Sequence, residues 1–101
     1  MRHFIIELTY TIPFEQFGDA LPAHRVFLTA GYDRGWILVS GPQLPRTGGV
    51  IIARAPSLEA LVQYMADDPL KVRGLATYHY IEFDAVRYPS FMRDWVSGEE
   101  M

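Results

Sequence analysis

The chain has 101 residues, half of them hydrophobic and 21% charged, with a formal net charge of -3. That length makes one domain with a small core, and the balance is that of a folded chain rather than a disordered one. The basic residues are scattered, with Arg25/Arg34 and Lys71/Arg73 the closest pairs, which argues against a nucleic-acid partner. With no cysteine, disulfides, thiolate nucleophiles and Cys-based metal centres are excluded.

Phe4-Ile-Ile-Glu-Leu-Thr-Tyr10 is rich in β-branched and aromatic residues and stops before Pro13, so it reads as the first strand. Its apolar run is too short for a signal peptide and is cut by Glu7. No stretch approaches the roughly 20 apolar residues of a membrane span, so a cytoplasmic protein with no membrane partner is expected. Pro13 to Pro22 reads as a linker holding a short helical turn around Phe14–Phe17. The first helix is expected from about Leu21–Ala23 to about Tyr32, because His24, Phe27, Leu28 and Gly31 share one face.

Trp36-Ile-Leu-Val-Ser40 is apolar, the pattern of a strand buried on both faces. Gly41-Pro42 to Gly48-Gly49 reads as a turn and Val50–Ala55 as the next strand, making a hairpin. Ser57 is a natural N-cap for a second helix, whose Leu58, Leu61, Val62 and Met65 form one stripe. Asp67-Asp68-Pro69 ends it. Asp68 as N-cap and Pro69 at the first position then start a short turn reaching Gly74. Thr77–Ala85 alternates as a fourth strand, with His79, Ile81, Phe83 and Ala85 opposite Tyr78, Tyr80, Glu82 and Asp84. The segment Tyr88–Trp95 has a helical stripe too short to stand alone, so it must dock, against a sheet edge or a partner subunit.

The order β-α-β-β-α-β predicts an α+β, ferredoxin-like domain over residues 1–87, with a four-stranded antiparallel sheet and both helices on one face. Residues 88–101 form a C-terminal amphipathic tail. The first three strands carry apolar residues on both faces, and the tail looks too small to cover the second. That favours a homodimer packed sheet against sheet.

His24 is either a satisfied core-edge histidine or a general acid/base, since imidazole titrates near neutrality. Asp33, nine residues on, points away from it on a continuous helix. Asp68, at the end of the neighbouring helix, is the better partner, although capping alone also explains it. Gly41 would let a ligand approach the backbone and Ser40 would donate a hydrogen bond, while turn formation accounts for Ser40-Gly41-Pro42 equally well. No Gly-x-Ser-x-Gly elbow supports a serine nucleophile. His3, His79 and His24 lack metal-ligand spacing, so no metal is expected. Tyr10, Trp36, Tyr78 and Tyr80 read as sheet-face packing.

Pro22-Ala-His24, Gly35, Ser40-Gly41-Pro42 and Asp68-Pro69, in this order and spacing, resemble the YciI-like (YCII-related) family over roughly residues 1–87. The resemblance implies a dimeric α+β-barrel fold and a His–Asp pair in a cleft, here His24 and Asp68. Two functions are therefore carried forward. One is a small cofactor-independent lyase, isomerase or hydrolase, with His24 moving a proton on a small cyclic or aromatic molecule held near Ser40-Gly41-Pro42. The other is a non-catalytic ligand-binding or assembly module in which the pair only holds two helices together.

Overall fold

A computed structural model describes residues 1–98; the last three residues of the expected tail, 99–101, lie outside the described residues. Strand β1 (Arg2–Tyr10) alternates as its sequence demands, with Phe4, Ile6 and Leu8 buried on one face. It pairs antiparallel with β3 (Gly48–Ala55) on one side and β4 (Ala76–Phe83) on the other, while β2 (Ile37–Pro42) pairs with β3. The resulting order is β2-β3-β1-β4. Helices α1 (Ala20–Asp33), α2 (Leu58–Met65) and α3 (Pro69–Val72) cover the Phe4–Ile6–Leu8 face and bring Ala20, Leu61, Met65 and Leu70 into one core. This is the expected ferredoxin-like α+β arrangement, and the Ser57 cap, whose Oγ accepts from the Ala60 N–H at 3.1 Å, starts α2 as expected.

Two glycines permit close approaches that position α1 and the hairpin. A Cβ on Gly48 would stand 1.9 Å from the Leu8 carbonyl oxygen, and one on Gly31 would stand 2.4 Å from Ile37 Cδ1. A side chain at Gly48 would push β3 off the β1 backbone, and one at Gly31 would force the Ile37 side chain to move.

The Trp36–Ser40 run was expected to be buried on both faces. Instead β2 is the edge strand of the sheet, and Val39 is 54% exposed because, opposite Ile52, it stands on the face that the helices do not cover. It also continues past Ser40 through Gly41-Pro42, which were expected to begin the turn. Ser40, Gly41 and Pro42 sit opposite Ile51, Val50 and Gly49, after a register shift between Ile37 and Val39. Proline is tolerated there because an edge strand can leave its outward donor position empty.

The tail crosses the sheet face opposite the helices rather than an edge. A 3-10 turn (Ser90–Met92) leads into α4 (Arg93–Ser97), which lays Trp95 5.5 Å from the His3 ring. Arg54, fully buried in β3, donates from Nε to the Gly35 carbonyl at 2.7 Å and from Nη1 to the Trp95 carbonyl. Phe91, expected to dock, is 84% exposed. Coverage is partial: Ile81 and Phe83 also remain exposed on that face. No described helix is long and apolar enough to cross a membrane.

His3 is buried beneath the tail, and burial pushes its pKa below the ordinary histidine value. A base depressed in the folded state binds more protons when unfolded. Stability should therefore fall as pH drops through the unfolded histidine value, near 6.5, towards the folded one. Thermal melts of wild type and His3→Gln between pH 8 and pH 5 test this. The variant should show the shallower acid slope, and equal slopes would contradict the assignment.

Candidate active site

Helix α1 starts with Pro22 inside its first turn, where the missing N–H would have no partner in any case. Its N-cap Asp19 makes no capping bond and instead accepts from Arg73 Nη1 at 2.6 Å, an exposed bridge that ties the start of α1 to the end of α3. This alignment carries His24, one turn into α1, over the junction between α2 and α3. Asp68 occupies that junction.

Asp68 is wholly buried and uses both oxygens. Oδ1 accepts from the Leu70 N–H at 3.1 Å, which is the expected cap, and also meets His24 Nδ1 at 2.7 Å. Oδ2 accepts from the Tyr78 hydroxyl at 2.6 Å, from β4. Capping alone therefore accounts for one contact of three. With an ionised carboxylate, which only accepts, the ring would make this bond through a proton on Nδ1. Nε2 of His24 then presents a lone pair, and it makes no hydrogen bond to any described residue.

The Tyr78 phenol is held as a donor to Asp68. Burial pushes the Tyr78 hydroxyl well above its ordinary pKa, and its bond to Asp68 pushes it further. Tyr80 is pushed up to about 12 by burial, with the charge of Asp68 adding to it.

His24, 13% exposed at its side chain, lines a cleft of about 120 Å³. Leu8, Leu21, Leu28 and Ile51 form apolar walls, and Ser40-Gly41-Pro42 of β2 form one side. Ser40 Oγ and the Tyr32 hydroxyl are 2.6 Å apart. A dry cavity of roughly 150 Å³ holds a benzene ring, so this cleft is of single-ring size.

The structure thus brings together His24, Asp68, Ser40, Gly41 and Pro42. Asp33 is exposed at the far end of α1, away from the pair. His3 and His79 lie on the opposite sheet face, so the three histidines do not converge, and no metal-binding group is present among the described residues. Sequence reasoning read Tyr78 as sheet-face packing and did not single out Tyr32, which meets Ser40, or Arg46, which also lines the cleft. A signal existed for Tyr78: the alternation of β4 sets it opposite His79, and a tyrosine turned inward needs a partner for its hydroxyl.

Residues 3–84 match the YCII-related domain. The chain belongs to that family. Among solved structures, this YCII-related chain is similar to a 5-chloro-2-hydroxyhydroquinone dehydrochlorinase (TftG) from Burkholderia phenoliruptrix AC1100, in complex with 2,5-dihydroxybenzoquinone. The TM-score is 0.62 at 19% identity, covering 85% of this chain and 93% of that one. At that identity the likeness concerns the fold alone. No curated protein matches the YCII-related chain.

Proposed function

We propose that the cleft is the active site of a small-molecule enzyme in which His24 is the general base and Asp68 holds it. The observation that carries this reading is the 2.7 Å contact between His24 Nδ1 and buried Asp68, made by a ring that lines the cleft and whose Nε2 bonds no described residue. Nε2 takes a proton from an acidic C–H or O–H of the substrate. The ring becomes imidazolium, and the Asp68 carboxylate stabilises it through a charge-assisted hydrogen bond. Ser40 and the backbone at Gly41-Pro42 orient the substrate from the β2 side. The chemistry suits elimination or isomerisation on a small cyclic or aromatic molecule, and a dehydrochlorinase among similar folds supports that class.

The exposed apolar residues Val39, Ile81 and Phe83 favour a homodimer through the face opposite the helices. We place the protein in the cytoplasm.

Incubation with a panel of small hydroxylated and chlorinated rings, headed by 5-chloro-2-hydroxyhydroquinone, tests the reading. Chloride release and ring absorbance report turnover, which is expected without added metal or cofactor. Panel members that bind beside His24 and Ser40 and are never turned over would favour the non-catalytic binding module.

A further inference from the structure

The charged side chains lining the cleft are of one sign. Arg25 and Arg46 reach it and no aspartate or glutamate does, in a chain with 12 acids against 9 Lys and Arg. The acid that serves the site, Asp68, stands behind His24 and is already engaged by three donors.

Arg46 differs from the other well-placed arginines. Arg2 is paired with Glu82 and Asp84, Arg73 with Asp19, and Arg54 donates to backbone carbonyls. The guanidinium of Arg46 instead lies 4.0 Å from the centroid of the Phe14 ring, at the border between this cleft and a neighbouring groove lined by Phe14 and Glu15. Its Nε is fully buried and has no hydrogen-bond acceptor among the described residues. A buried donor left unmet is costly, and a guanidinium held over an aromatic face keeps its fork of N–H groups for an acceptor in its own plane. That fork suits an oxyanion.

We infer that the cleft takes a small organic anion of single-ring size, with Arg46 binding its negatively charged oxygen. The turn between β2 and β3 carries Arg46 just beyond Ser40-Gly41-Pro42, so one short segment supplies both the cleft wall and the anion's counter-charge. The apolar walls take the ring beside His24, which lines the same cleft. This rests on the reading that the cleft binds a small molecule.

Titration of the intact protein with benzoate and with benzamide, its neutral near-isostere, tests the inference by amide NMR shifts at Ser40, Gly41 and Gly49. Benzoate should bind at least about tenfold tighter than benzamide, the scale of one charge-assisted hydrogen bond. Arg46→Gln should remove that advantage and leave benzamide within about twofold, while Arg46→Lys, which keeps the charge, should restore part of it. Equal binding of the two probes would overturn the anion assignment and leave the ring site standing. A loss caused by Arg25→Gln and not by Arg46→Gln would overturn the role of Arg46. If neither probe shifts the cleft amides, the small-molecule reading of the cleft falls together with this one.

Discussion

Replacing His24 by alanine should slow turnover by about 10²–10⁴-fold, the usual contribution of a positioned general base. The loss should appear in kcat, since the imidazole acts as the proton moves, and less in KM, which the apolar walls and β2 set. The fold should survive. His24 is partly exposed, and Asp68 keeps its bonds to Leu70 and Tyr78 when the ring is gone. The space left by the ring is open to the cleft, so added imidazole should restore part of the rate. Turnover equal to wild type, in a variant with an unchanged melting temperature, would remove His24 from the chemistry.

Asp68→Ala should have the largest effect on stability, lowering it by about 3–5 kcal/mol. Three donors lose their acceptor at once: the Leu70 N–H, the His24 ring and the Tyr78 hydroxyl. The site is wholly buried, so water cannot replace the carboxylate without repacking. Asp68→Asn should cost much less. Two of the three donors converge on Oδ1, which fixes the amide oxygen there and turns the NH₂ group towards Tyr78, whose hydroxyl can accept. Urea denaturation of both variants separates the two cases. A loss below about 1 kcal/mol for Asp68→Ala would show that the three bonds contribute little net stability.

The sheet and helices were legible because local patterns and tertiary burial agree in this chain. Phe4, Ile6 and Leu8 alternate and are buried, and the Ser57 and Asp68 caps start their helices where expected. The His24–Asp68 contact was also legible, from helix periodicity and the adjacency that this topology imposes. The nature of β2 was not, because an apolar run reads alike in a central strand and in an edge strand whose outer face is left for another surface. The tail's destination was hidden for a related reason. Arg54 near the end of β3 reads as a polar residue in an apolar strand, whereas its buried guanidinium holds the tail through the Trp95 carbonyl. Long side chains of this kind reach partners far along the chain, as Arg46 reaches Phe14, and no local spacing records such pairs.

Long-range ¹H–¹⁵N correlation of the imidazole rings reads directly which nitrogen of His24 carries the proton. In the neutral ring the proton should be on Nδ1, held by the Asp68 carboxylate, with Nε2 bare in the cleft and its resonance responsive to bound benzoate. A neutral ring protonated on Nε2 would contradict this. Nδ1 would then be the acceptor, Asp68 would have to be the donor, and the nitrogen facing the cleft could not take a proton from a substrate.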